Sequence, residues 1–306
     1  MCSWSTSRWR TVSRGPRSYH RGDSVRGDGT MPRSIPHARL RIESAPIAER
    51  LERTIEDTVR RFGAAGVALG VSGGVDSAVV SALAARALGP ERVLALQLPY
   101  RDLGGESMRR AEHWIEHLGV RSERVDITAM VDAYEATQPD MDWHRRGNVQ
   151  ARARMIVQFD KLTQHGLLPI GTGNRTERLL GYFTEHGDDA PKLQPLADLY
   201  KTQVWQLARH LGVFDDIVDA APSAGLEPDQ TDEGDFGVPY AEIDLVLALL
   251  EAGFDEAAVL DTRASSTALD AVLERVVATR RKRVPTVAPA FQPTYHDPTA
   301  FTDRSR

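Results

Sequence analysis

Gly70-Val71-Ser72-Gly73-Gly74-Val75-Asp76-Ser77 follows directly on an apolar run, Val67-Ala68-Leu69, and leads into an Ala-rich stretch that ends at Leu88. The run reads as a buried strand and the stretch as a helix. Two adjacent glycines let the backbone turn tightly and present several N–H groups to one anion. The helix that starts there adds the positive end of its dipole. Ser72 and Ser77 add hydroxyl donors. Asp76 beside an anion makes sense only if a cation sits between them. The segment therefore reads as a pyrophosphate cradle, Ser72, Gly73, Gly74, Val75 and Ser77, with a metal-binding carboxylate, Asp76. The alternative is a glycine-rich strand-to-helix turn with no ligand.

Outward from this loop, Ile47, Leu51, Ile55 and Val59 recur every four residues and mark an amphipathic helix. Strand-like runs follow at 67–71, 93–98, 123–127 and 167–171. Helical stretches lie around 76–88, 105–118, 128–136 and 148–165. Such alternation predicts an α/β fold, a doubly wound parallel sheet with helices on both faces. Loops at the carboxyl ends of its strands would then carry the chemistry. Residues 201–283 read as mostly helical, with a polar interruption at 222–239.

A length of 306 residues allows one large domain or two small ones, and 41% hydrophobic residues suffice for a large core. The net charge of −5 gives no reason to expect nucleic-acid or membrane attraction. No apolar run approaches the roughly 20 residues needed to span a bilayer. Cys2 is the only cysteine, which excludes an internal disulfide framework and suits the reducing cytoplasm. Residues 1–40 are rich in Arg, Ser and Gly and lack apolar periodicity, so they are expected to be a disordered tail or the product of an early start codon, with Met31 the true start; import into an organelle is a third option. Residues 41–289 are expected to form the catalytic domain and 290–306 a loosely ordered end.

Further motifs follow in order. In Gly147-Asn148-Val-Gln-Ala-Arg152-Ala-Arg-Met155, Asn148 stands where a helix can begin and Arg152 lies one turn on, a pair able to hold an anionic substrate or simply a capped, solvated helix. Gly171-Thr172-Gly-Asn-Arg-Thr-Glu177 is a second strand-to-helix turn with an acid, which either joins Asp76 on one magnesium ion or merely balances a helix dipole. Gly181-Tyr-Phe183-Thr-Glu-His-Gly-Asp188 has the make-up of a loop whose aromatics suit a planar ring or the core. Lys201 can reach phosphates as a point charge or open a helix at the surface. Residues 222–233 form a polar loop that includes Ser223. His113-Trp-Ile-Glu-His117 matches an inverted zinc-protease motif, but it sits between two predicted strands and reads as a covering helix.

Ser72–Ser77 resembles the pyrophosphate loop of the ATP pyrophosphatases, and the Gly-x-x-x-x-Gly-Lys-Ser/Thr loop is absent. Taken in order, the motifs from Ser72 to Glu233 resemble the NAD synthetase family, over roughly residues 45–285. The resemblance implies a Rossmann-like fold of the ATP pyrophosphatase type. It implies an ATP-dependent amidation of deamido-NAD by ammonia through an acyl-adenylate, in a homodimer. It implies that Ser72, Gly73, Gly74, Val75, Ser77, Thr172, Lys201 and Ser223 bind ATP and that Asp76 and Glu177 bind Mg²⁺. Asn148, Arg152, Phe183, Asp188 and Lys192 would bind the acceptor, and Asp76, Lys201 and Asp188 would be catalytic. Glutamine-dependent relatives carry an extra amidase domain, so free ammonia or a separate amidotransferase is the expected nitrogen donor. Departures fall on the acceptor side and the phosphate-closing loop, not on the pyrophosphate loop. Lys192 stands where Asp is common, Gly225 where many relatives have Asp, Glu227 where Trp is frequent and Arg281 where His is usual. A paralogue that amidates another carboxylic acid is the alternative.

Overall fold

The computed structural model describes residues 40–101, 105–227 and 230–284. The expected tails, 1–40 and 290–306, lie outside the described residues except for Leu40. Four strands, β1 (Val67–Gly70), β2 (Val93–Gln97), β3 (Arg121–Arg124) and β4 (Leu168–Pro169), form one parallel sheet in the order β3-β2-β1-β4. The helices between and before them are α1 (Ser44–Arg61), α2 (Val75–Leu88), α3 (Gly105–Leu118), α4 (Thr128–Glu135) and α5 (Trp143–His165). After the sheet come α6 (Arg175–Leu180), α7 (Lys201–His210), α8 (Asp215–Val218), α9 (Asp232–Phe236), α10 (Tyr240–Glu251), α11 (Glu256–Leu260) and α12 (Ser266–Ala278).

The pleat explains how two helical layers find the sheet. Successive side chains of a strand point to opposite faces. Val67, Leu69, Val93 and Ala95 join a core with α1, α2, α3 and α7. Their neighbours Ala68, Leu94 and Leu96 join a second core with Ile127, Val131, Ala153 and Val157 from the α4 and α5 side. A third cluster, built from α10 and α12 with Leu180 and Tyr200, packs away from the sheet. The strand order places the topological switch point between β1 and β4. Ligands of such sheets bind in the crevice at that point.

Two boundaries differ from the sequence expectation. The helix expected to start at Asn148 starts five residues earlier, because Asp142 caps it by accepting from the Arg145 amide at 2.8 Å. Asn148 is therefore interior to α5 and returns its amide nitrogen to the His144 carbonyl at 3.0 Å. The edge strand lies at Arg121–Arg124, not 123–127. Its charged side chains face solvent, as edge strands require. The apolar Val125 and Ile127 continue the pairing with single bonds to the Gln97 and Pro99 carbonyls. The His113 and His117 rings of α3 lie 4.7 and 4.8 Å from the Phe214 ring, so the motif is a packed helix face.

Candidate active site

The loop after β1 folds as its glycines dictate. Gly73 has φ 81°, and a Cβ there would sit 1.9 Å from the Ser107 carbonyl oxygen. Only glycine admits both the left-handed backbone and the close approach of α3. No side chain caps α2 at Gly74. The two serines brace the loop. The Ser77 hydroxyl donates to the Gly74 carbonyl at 2.9 Å and accepts from the Ser72 amide at 3.2 Å. The Ser72 hydroxyl accepts from the Gly74 amide at 3.3 Å. The result is a rigid turn at the positive end of a 14-residue helix, a ready anion site.

The loop after β4 comes to the same place. Asn174 caps α6 in a reciprocal box, its side chain accepting from the Glu177 amide at 3.0 Å while Glu177 Oε2 accepts from the Asn174 amide at 3.2 Å. The Asn174 side chain then donates to Asp76 Oδ1 at 2.9 Å. One residue thus ties the second turn to the first across the switch point. Thr172 lies half-buried in the same turn.

Lys201, at the start of α7, points its ammonium between the two acids. Nζ lies 2.5 Å from Asp76 Oδ2 and 3.5 Å from Glu177 Oε1. It also sits 5.3 Å from the centre of the Tyr240 ring. The Lys201 side chain is 3% exposed. Burial works against its charge, but Asp76, Glu177 and Asp232 outweigh burial and hold the ammonium protonated. Burial, then the Asp76 charge, pushes Glu177 up to about 8. Asp232 belongs to this cluster through its field on Lys201, and burial raises it as well. Its carboxylate accepts from the Tyr240 hydroxyl at 2.8 Å and the Tyr182 hydroxyl at 3.1 Å.

The expected acceptor residues form a separate group. The Thr184 hydroxyl donates to Asn148 Oδ1 at 2.9 Å, and the Thr184 amide donates to Asp188 Oδ1 at 2.8 Å. Arg152 donates to the Glu185 carbonyl at 3.2 Å. These bonds dock the loop 183–188 on α5. Lys282 closes it from the other side, donating to the Gly181 and Phe183 carbonyls at 2.8 and 2.5 Å with its ammonium 5.1 Å from the Phe183 ring centre. Asp188 is crowded by protein around its carboxylate yet keeps an exposed surface, and the crowding raises its pKa. Lys192 is exposed and makes no ion pair among the described residues. Ser223 is exposed too, its hydroxyl turned inward to accept from the Gly225 amide at 3.0 Å, and it makes no bond to the loop at 72–77.

Asn174, Thr176, Asp232, Tyr240 and Asp244 were not singled out from the sequence. Asn174 was visible in principle as the first residue of an Asn-x-x-Glu capping box. Asp232 lay within the polar loop at 222–233 with nothing to separate it from its neighbours.

The geometry has relatives. The sequence model of the NAD synthase family matches residues 47–286. The NH₃-dependent NAD⁺ synthetase of Chlorobaculum parvum is 45% identical over 75% of this chain and 83% of its own. That of Trichlorobacter lovleyi is 41% identical over 82% and 93%. Among solved structures, an NMN synthetase from Francisella tularensis superposes with a TM-score of 0.74 at 33% identity, covering 82% of this chain and all of its own. An NH₃-dependent NAD synthetase from Campylobacter jejuni gives 0.69 at 28% identity over 81% of this chain and all of its own.

Proposed function

The chain belongs to the NAD synthase family, and from that premise we propose that it amidates the nicotinate carboxylate of deamido-NAD with ammonia at the expense of ATP. The observation that carries this reading is the meeting of the Ser72–Ser77 loop, Asp76, Glu177 and Lys201 at the sheet's switch point. A carboxylate accepts a nucleophile only after one oxygen becomes a good leaving group. In the proposed first step a carboxylate oxygen attacks the α-phosphorus of ATP, the bond to the β-phosphate bridge breaks, and pyrophosphate departs. Ammonia then attacks the carbonyl, loses a proton, and expels AMP.

Each part of the cluster has a task in that scheme. The amides and hydroxyls of Ser72–Ser77 take the phosphate oxygens. Lys201 meets the charge that grows on the departing pyrophosphate. Two carboxylates beside phosphate oxygens make the hard donor set that Mg²⁺ prefers, and Asp76 and Glu177, which meet at one ammonium beside the Ser72–Ser77 loop, fit a magnesium ion. The ion, when bound, neutralises phosphate charge and polarises the phosphorus. Thr172 and Ser223 complete the ATP side. Asn148, Arg152, Phe183 and Lys192 hold the acceptor, and Asp188 takes up the proton that ammonia gives off. The chain works as a homodimer, a reading that exposed Trp143, Ile156 and Phe159 on α5 support. Among the described residues no helix is long and apolar enough to cross a membrane, and we place the protein in the cytoplasm.

The test is incubation of the purified chain with deamido-NAD, Mg-ATP and ammonium, reading NAD, AMP and pyrophosphate together. Equal amounts of the three are expected, and glutamine should not replace ammonium. Release of ADP in place of AMP, or faster turnover of the corresponding mononucleotide acid, would overturn the assignment.

A further inference from the structure

Two residues of α10, one turn apart, hold Lys201 from both ends. Tyr240 lies under the ammonium, with its ring centre 5.3 Å from Nζ. Asp244, four residues on and therefore on the same helix face, holds the main chain. Asp244 is 0% exposed. Its Oδ2 accepts from the Thr202 amide at 2.8 Å, and its Oδ1 accepts from the Thr176 hydroxyl at 2.5 Å. The Thr176 hydroxyl in turn accepts from the Lys201 amide at 2.9 Å. Lys201 and Thr202 are the first two residues of α7, whose amides have no partner within their own helix. Thr176 is the immediate neighbour of Glu177. One carboxylate therefore fixes the start of α7, which carries the cation, against α6, which carries one of its acids.

We propose that Asp244 is a positioning residue for phosphate binding, which sets Lys201 relative to Glu177 through Thr176 and the first turn of α7. An apolar residue there would bury α10 equally well. Asp244 stands between Ile243 and Leu245 in a helix whose buried face is otherwise almost entirely apolar. A buried carboxylate costs folding energy unless its bonds do something an apolar side chain does not. Here they supply external caps to the helix end that presents Lys201 to the site. The inference rests on the phosphate-binding role proposed for Lys201.

A thermodynamic cycle tests it. Mg-ATP affinity by calorimetry, and the KM and kcat of pyrophosphate release, are measured for wild type, Asp244→Ala, Asp244→Asn, Lys201→Met and the Asp244→Ala/Lys201→Met double variant. Asp244→Ala should weaken Mg-ATP binding about tenfold and slow adenylation by one to two orders of magnitude, with the KM for deamido-NAD within about twofold. Asp244→Asn keeps one acceptor for the Thr202 amide and should recover most of the loss. In the Lys201→Met background, Asp244→Ala should add less than about twofold, because the group it positions is gone. Equal losses in both backgrounds, or a parallel rise in the KM of both substrates, would reduce Asp244 to a structural role. Should the wild type bind Mg-ATP yet make no NAD, the proposed reaction falls, while the affinity cycle still decides the role of Asp244.

Discussion

Two lysines nine positions apart in the chain live in opposite surroundings. Lys201 is buried, bonded to Asp76 and Glu177, backed by the Tyr240 ring and held at its amide by Thr176. Lys192 is exposed and unpaired among the described residues. The contrast extends to the regions around them. The proposed phosphate side is made from strand ends and helix starts tied to one another through Asn174, Lys201 and Thr176. The proposed acceptor side is a surface loop, 183–192, docked on α5 through Asn148 and Arg152 and closed from the other side by Lys282. Rigid, interlocked parts suit a step whose geometry is the same for every substrate, the transfer of AMP. Loops suit the choice of which acid receives it. Lys192, Gly225, Glu227 and Arg281 all lie outside the interlocked part.

The comparison breaks most visibly at Asp76. Asp76→Asn keeps size and the bond from Asn174 but removes one charge from the pair facing Lys201. Pyrophosphate release should fall on the order of 10³-fold, about 4 kcal/mol of barrier, with the fold intact by circular dichroism. Near-normal release would detach Asp76 from the metal and with it the division into two halves.

The interlocked side should also carry a strain with pH, centred on Asp244. Burial pushes Asp244 up to about 6 from an ordinary 3.8. Below pH 3.8 it is protonated folded and unfolded alike. As pH rises from about 4 to about 6 the unfolded chain gives up this proton and the folded one retains it, so stability falls across that window. The shift of about two units corresponds to about 3 kcal/mol. Urea unfolding of wild type and Asp244→Asn at pH 4, 5, 6 and 7 should show the two curves diverging up to pH 6 and running parallel above it. Parallel curves throughout would mean that Asp244 is as well solvated as a surface acid.

A smaller effect is expected at the loop. Lys192→Asp should change the KM for deamido-NAD by tenfold or less, about 1.4 kcal/mol, and leave the KM for ATP alone. A large gain in deamido-NAD turnover would show instead that Lys192 reads a charge belonging to another acid. The smallest effect belongs to the first 30 residues. Their removal should shift neither the melting temperature nor the rate, since no periodic apolar pattern marks them for burial. A fall of more than a few degrees would show that they pack on the domain.

Much of this architecture is legible in the sequence. Strand β1 and helix α2 are unambiguous because apolar residues, paired glycines and a helical stretch follow one another without interruption. The start of α5 is not legible in the sequence, because residues 143–147 carry no apolar periodicity and only the cap at Asp142 marks the boundary. The edge strand β3 slipped because its own residues are charged and the apolar ones lie beyond it. Within the site, Asp76, Glu177 and Lys201 each stand beside a glycine turn or a helix start, so local chemistry suggests them. Asp244 gives no such sign. Its partners Thr176 and Thr202 lie 68 and 42 positions away, and only the folded chain brings them together.

In the proposed reaction a carboxylate oxygen of the acceptor attacks ATP at the site around Lys201. Following that oxygen tests the attack most directly. Deamido-NAD labelled with ¹⁸O in its nicotinate carboxylate is incubated with Mg-ATP, ammonium and the purified chain, and the products are weighed by mass spectrometry. One ¹⁸O in each AMP phosphate and one left in the amide of each NAD are the expected result. AMP without label, or label carried into inorganic phosphate beside ADP, would contradict it.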